Sequence, residues 1–251
     1  MSELASETVF TALLVFCRIG GCLLIAPGLS SMRMPMQVRL FLAVAISLAL
    51  TPVLYPIVRP ATGDGSPSGL LLAIASETGI GFMIGFLARI FFMALQTLAI
   101  AAAQFVGLGG MFGGISDESG PLPSTALLFT MTAVAMVFAS DQHWVLLAGL
   151  VDSYGVLPPG GGFSARLGLV DVADQLADAF MLTLRITSPF LIYSVVVNFA
   201  IGITNKLTPQ IPIFFIAMPF VTAGGLLLLF FTIKEALIVF SSAFGAWLAM
   251  G

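Results

Sequence analysis

Six long apolar stretches constrain what this chain can fold into. Val9–Ala26 carries one charge, Arg18, and Leu40–Val58 carries none. Leu70–Met111 is more than twice as long and carries only Glu77 and Arg89. Ala126–Val151, Ala179–Thr204 and Ile211–Met250 complete the set. A helix rises about 1.5 Å per residue, so about 20 apolar residues cross a hydrocarbon layer of about 30 Å. Only 8% of the residues are charged, where a soluble domain has about a quarter. The chain therefore reads as an all-α integral membrane protein with about six hydrophobic runs, a single membrane domain over residues 1–251.

The net charge of −3 arises from 9 basic and 12 acidic residues with no basic cluster, which argues against a nucleic-acid partner. Met1–Glu7 carries Glu3 and Glu7 but no basic residue. Secretory signals begin with positive charge, so the first run is expected to be retained. Cys17 and Cys22 lie five residues apart. On one helix that spacing is too wide for a disulfide, and they read as small apolar fillers.

Proline and glycine punctuate the runs. The first helix should stop at Ala26-Pro27-Gly28, and the second should kink or break at Pro52 or Pro56. Arg59–Gly69 is a loop by composition. Leu70–Met111 could form two spans or one bent pair. It runs into Gly107, Gly109, Gly110, Gly113 and Gly114, five glycines among eight residues. Each costs about 1 kcal/mol in a helix relative to Ala, so a helix should not persist there. A polar loop with Asp117 and Glu118 is expected over Ser116–Pro123, and a second long loop over Asp152–Gly168. The last break is Thr204–Pro212, with Lys206, Pro209 and Gln210. The run after it is long enough for a helical hairpin turning near Lys234 and Glu235. The few basic residues give no firm orientation under the positive-inside rule.

The charges inside the runs are costly. An Arg at a helix centre costs about 2.5–3.5 kcal/mol on insertion scales, so Arg18 should face protein through a salt bridge or a carbonyl. Glu77, Gly81 and Gly85 recur every four residues, a small-residue stripe on which another helix can pack beside a polar group. Arg89 lies about 120° around the same helix from Glu77 and needs a different partner. Asp171, Asp174 and Asp178 read as a solvated helix start, with Arg185 deeper on that face and a polar channel lining as the alternative. Lys234 and Glu235 diverge by about 100° on a helix, so they do not pair with each other. All these intramembrane charges are candidate buried polar or subunit contacts. The single histidine, His143, excludes a multi-histidine metal site. Gly107–Gly114 lacks the Lys-Ser/Thr of a phosphate loop. No catalytic, metal or cofactor site is expected.

Several segments taken together resemble the FliR family, a membrane component of the flagellar type III export gate whose superfamily includes injectisome proteins. They are Arg18-Ile19-Gly20-Gly21 through Ala26-Pro27-Gly28, and Pro35-Met36-Gln37-Val38-Arg39. Next come Glu77, Gly81, Gly85 and Arg89, running on to Gln104-Phe105-Val106-Gly107. His143-Trp144 and Asp152 to Pro159 follow, and the strongest segment is Pro209-Gln210 to Pro219. Two departures are local. Ser140-Asp141-Gln142 stands where family members often have glycines, and Lys206 is the lone basic residue where more are usual.

The resemblance implies a non-enzymatic structural and gating subunit in the bacterial inner membrane, within the flagellar basal body. Its implied partners are FliP-like and FliQ-like subunits, FlhB-like and FlhA-like proteins, membrane lipid and unfolded export substrates. Bent helical hairpins would surround a conduit in a hetero-oligomeric gate. By position, the segment from Gly107 to Pro123 resembles a plug, with Met111 and Phe112 as an apolar seal and Asp117 and Glu118 in water. The alternatives are an injectisome homologue or, from another class, a secondary transporter of a small solute, whose sites also form at broken helices.

Overall fold

A computed structural model describes residues 2–30, 34–62, 66–105, 107, 115–117, 120–122, 124–159 and 165–250. Seven helices carry the fold: α1 (Ser2–Ile25), α2 (Met36–Val58), α3 (Pro67–Phe105), α4 (Ser124–Ala139), α5 (Gln142–Val156), α6 (Ala165–Leu207) and α7 (Ile213–Met250). A 3-10 turn, Arg59–Thr62, follows α2. Among the described residues five helices are long and apolar enough to cross a membrane, or six spans if the broken pair α4/α5 counts as one. The all-helical membrane class read from the sequence holds.

Five expectations are corrected. Helix α2 continues through Pro52 and Pro56 to Val58. A proline inside a helix costs about 3 kcal/mol, but Leu54 and Val58 are fully buried beyond Pro52, each contributing about 1.5–3 kcal/mol. The run Ala126–Val151 is not one helix. It breaks at Ser140–Asp141, where Asp141 takes a left-handed φ of 57°. Helix α5 then extends to Val156, so the second long loop starts later than Asp152. Helix α7 runs unbroken past Lys234 and Glu235, and no turn forms there. Residues 232–236 offer neither glycine nor proline to end it. In place of a purely polar loop over Ser116–Pro123, β1 (Ile115–Asp117) pairs antiparallel with β2 (Gly120–Leu122), with Ile115 opposite Leu122.

The residues group into two compact units. The first draws on Met1–Ile90, Asp141–Leu176 and Leu248–Gly251, the second on Phe91–Ser140 and Ala177–Trp247. In the first, α1 buries Leu14, Val15, Arg18, Ile19, Cys22 and Leu23, a spacing of three and four that places them on one helical face. Against that face pack Ala43, Leu54 and Val58 of α2, Ala73 of α3 and Tyr154 of α5. Ser47 and Thr51 on the buried side of α2 donate to the carbonyls of Ala43 and Ser47, so burying their hydroxyls leaves no donor unmet.

The second unit is tied by aromatic rings. Phe92 of α3 meets Phe240 and Phe244 of α7 edge to face, at centroid distances of 5.2 and 5.4 Å. Phe91 lies 5.2 Å from Trp247. These are the separations aromatic pairs prefer. Elsewhere in this unit Ala102 of α3 and Phe190 of α6 are buried with Leu228 and Leu229 of α7.

Candidate functional site

Arg18 is a costly residue to place in a membrane, and it lies at the centre of a buried polar cluster in the first unit. It is fully buried, as is Glu77. Its Nε donates to Glu77 Oε2 at 2.7 Å, and its Nη2 donates to Glu77 Oε1 at 2.9 Å. This is the two-pronged geometry in which a planar guanidinium matches a carboxylate. Two further donors are used. Nη1 donates to Ser153 Oγ at 3.0 Å, and Nη2 donates to the Leu157 carbonyl at 2.9 Å. Ser153 in turn donates to the Leu150 carbonyl at 2.7 Å. The Tyr154 ring covers the guanidinium, 3.8 Å from ring centroid to its central carbon, a desolvated cation–π contact.

Three helices meet in this knot. Residue 18 sits mid-way along α1 and residue 77 on α3, while Ser153, Tyr154 and Leu157 belong to the end of α5. Leu157 is the C-cap of α5. A helix C-terminus carries unsatisfied carbonyls and partial negative charge, so the guanidinium both pairs with a carboxylate and caps a helix there.

The glycine stripe makes the approach possible. A methyl group at Gly81 would overlap the backbone carbonyl of Arg18, and one at Gly85 would come within 2.6 Å of the Cys22 carbonyl oxygen. On the facing helix, a Cβ at Gly21 would lie 3.0 Å from the Thr78 carbonyl oxygen. Small residues on both helices thus let α1 and α3 cross at backbone contact, which brings Glu77 within reach of Arg18. Cys22, Ala26 and Leu150 extend the same contact as an apolar cluster. Both cysteines are free.

The other candidates are not gathered at this knot. Arg89 is half-buried further along α3, and Arg185 is exposed on α6. Lys206, Pro209 and Gln210 are exposed around the α6–α7 turn, and Lys234 and Glu235 are exposed on α7. Gly107 ends α3 with φ of 79°, the left-handed conformation in which glycine terminates helices. Its N–H donates to the Gln104 carbonyl at 3.0 Å. Asp117 lies in β1. Gly109, Gly110, Met111, Phe112, Gly113, Gly114 and Glu118 lie outside the described residues. Among the described residues no group of three His, Cys, Asp or Glu side chains is placed to hold a metal.

Sequence reading missed Ser153, Tyr154 and Leu157 as partners of Arg18. A loop was expected from Asp152 onward, and a loop reading hides the helical spacing that puts 150, 153, 154 and 157 on one face. The signal available was the absence of glycine or proline between Leu150 and Leu157 other than Gly155.

Comparison with known proteins places this architecture. The sequence pattern of bacterial export proteins, family 1, matches residues 9–247. The flagellar biosynthetic protein FliR of Caulobacter vibrioides is 28% identical over 240 residues, covering 94% of this chain and 93% of that protein. FliR of Escherichia coli is 30% identical over 212 residues, covering 81% and 77%. The Yop proteins translocation protein T of Yersinia pestis is 27% identical over 242 residues, covering 91% and 88%. Arg18, Glu77, the Gly81–Gly85 stripe and the Ser153–Leu157 segment all fall within the matched region, and the chain belongs to the FliR family of bacterial export proteins.

Proposed function

We propose that this chain is a structural and gating subunit of the flagellar type III protein export gate, required for export of flagellar subunits and for flagellum assembly. The observation that carries the reading is the likeness to flagellar FliR proteins over nearly the whole length of both chains. The helices support it. α3, α6 and α7 run for 39, 43 and 38 residues, about 55–65 Å each, nearly twice a hydrocarbon layer. Such helices need protein neighbours as well as lipid.

Within that reading the whole chain acts as one membrane domain of the bacterial inner membrane, at the flagellar basal body. FliP-like and FliQ-like subunits are its direct neighbours, FlhB-like and FlhA-like proteins adjoin it, and unfolded chains pass beside it. The role is positional rather than catalytic and uses no cofactor. Gly107 to Pro123 plugs the conduit when it is closed. Arg89, Lys206, Pro209 and Gln210 contact neighbouring subunits, and Arg185, Lys234 and Glu235 do so where their helices leave lipid. The Arg18–Glu77 knot holds α1, α3 and α5 in the arrangement that neighbours recognise.

A second reading, the injectisome form of the same apparatus, has one observation in its favour: the likeness to the Yersinia pestis translocation protein T over 91% of the chain. The flagellar form is preferred because the Caulobacter vibrioides and Escherichia coli FliR proteins are at least as similar. Affinity purification of the tagged chain from its own membrane, in mild detergent, tests the reading. FliP-like and FliQ-like proteins should co-purify in fixed ratio. A chain that purifies alone, at full occupancy of its membrane, contradicts it.

A further inference from the structure

Three of the long helices carry proline beyond their first turn: Pro52 and Pro56 in α2, Pro189 in α6 and Pro219 in α7. A proline has no N–H to give the carbonyl four residues earlier. The carbonyls of Leu48, Pro52, Arg185 and Phe215 therefore lose their helical donor. In α6 the chain supplies a substitute. Ser188, just before Pro189, donates its hydroxyl to the Arg185 carbonyl at 2.9 Å. Helix α2 has the same step, Thr51 before Pro52, and uses it differently. The Thr51 hydroxyl donates to the Ser47 carbonyl at 2.7 Å, on the buried side. Tyr55 precedes Pro56, and a hydroxyl at the far end of a ring cannot turn back to the Pro52 carbonyl. Among the described residues no side chain donates to the carbonyl of Leu48 or Pro52. The Phe215 carbonyl is different, because it lies in the first turn of α7, near a helix end where water reaches.

The two α2 carbonyls lie well inside the span. They are about 18 and about 24 Å from its start at Met36, and about 15 and about 9 Å from its end at Val58. They also sit on the side that the chain leaves uncovered. Ala43, Ser47, Thr51, Leu54 and Val58 are buried. Leu48 and Val53 are 60% and 63% exposed, and Ala45, Ala49, Pro52 and Pro56 are exposed as well.

Ala45, Ala49, Pro52 and Pro56 recur every three or four residues and form one stripe of that side. Their side chains are short, so another helix can approach until its own side chains reach the α2 backbone. Hydrocarbon has no donor to offer a carbonyl at this depth. A water-filled wall fits poorly, because exposed Phe41, Leu48 and Val53 flank the stripe. A membrane helix that carries polar side chains on an apolar surface meets both demands.

We propose that this stripe of α2 seats one membrane-spanning helix of a neighbouring subunit, whose hydroxyl or carboxamide side chains donate to the Leu48 and Pro52 carbonyls. The two acceptors are about 6 Å apart along the axis, so Ser, Thr, Asn or Gln residues one turn apart on the partner fit both. The inference rests on the reading of this chain as one subunit of a membrane assembly and gives the chemistry of one contact within it.

The test uses the full chain, expressed with its neighbours in its own membrane. A benzophenone amino acid at position 49 or 53 should give a discrete adduct with one neighbouring subunit. Phospholipid adducts alone would overturn the seat, and so would reaction of a cysteine at position 49 with a membrane-impermeant thiol reagent. A second arm returns the missing N–H groups through Pro52→Ala with Pro56→Ala. That chain should accumulate in the membrane at its usual level, yet bind the crosslinked subunit about tenfold more weakly in mild detergent, the loss expected for hydrogen bonds of ordinary strength. Unchanged or tighter binding would overturn the hydrogen bonds. A third arm keeps the prolines and replaces Ala49 by its α-hydroxy analogue, which turns the 48–49 amide into an ester and makes the Leu48 carbonyl a poorer acceptor. The same contact should weaken. Weakening by the alanines alone would assign the effect to the shape of α2 and overturn the hydrogen bonds. None of these results bears on whether FliP-like and FliQ-like proteins co-purify with the chain, so the export-gate reading stands or falls separately.

Discussion

At the scale of the residue, Arg18 decides most. A buried ion pair is weak evidence for net stability, because both charges lose their hydration. Losing one partner is a different matter, since the other is left buried and uncompensated. Arg18→Ala should destabilise the assembled complex by about 3–5 kcal/mol, read as a fall in its melting temperature in detergent. Replacing both partners, Arg18→Met with Glu77→Leu, should recover most of that loss. A double variant no better than the single one would show that the capping of Leu157, not the pair, is what matters. Tyr154 gives a companion expectation. Its ring covers the guanidinium, while its hydroxyl is buried with no hydrogen-bond partner among the described residues. Tyr154→Phe should leave the melting temperature nearly unchanged, and Tyr154→Ala should lower it by about 3–5 kcal/mol in equivalent stability, as loss of a buried aromatic ring does.

At the scale of the element, the glycines of α3 set how closely α1 can approach. Gly81→Ala places a methyl group on the Arg18 carbonyl, and that backbone cannot yield as a side chain would. The two helices must separate, and the ion pair separates with them. Gly81→Ala should therefore lower the yield of intact complex more than Gly79→Ala, where an added Cβ meets nothing within 4 Å. Equal yields on a sizing column would contradict the close crossing. This is also the scale at which the sequence was most and least legible. Run length and charge spacing disclose the membrane class, and the Gly81–Gly85 stripe beside Glu77 discloses a packing face. The break at Asp141 is not legible in the same way. It depends on a left-handed φ at a residue that is neither glycine nor proline, so nothing in the hydrophobic pattern marks it. Proline misled in the opposite direction: α2 runs through Pro52 and Pro56, with burial of Leu54 and Val58 offsetting part of the local penalty. The partners of Arg18 on α5 were illegible because which helix ends nearby is set by tertiary packing and not by spacing along the chain.

At the scale of the whole molecule, a glycine-rich stretch follows α3 in the sequence from Gly107 onward. Gly107 sits where an added Cβ would lie 3.4 Å from the Thr222 hydroxyl of α7. If Gly107 to Pro123 plugs the conduit, deleting residues 109–114 should leave the complex assembled yet let small molecules cross the membrane. Unchanged membrane tightness in the deletion strain would remove the plug role and leave the structural role standing. The central claim is that this chain is a part of the flagellar export gate, and it is tested most directly by secretion. In a strain lacking the chain, hook protein and flagellin should be made but retained inside the cell, and the intact chain supplied in trans should restore their export. Normal export and motility in the strain without it would contradict the account.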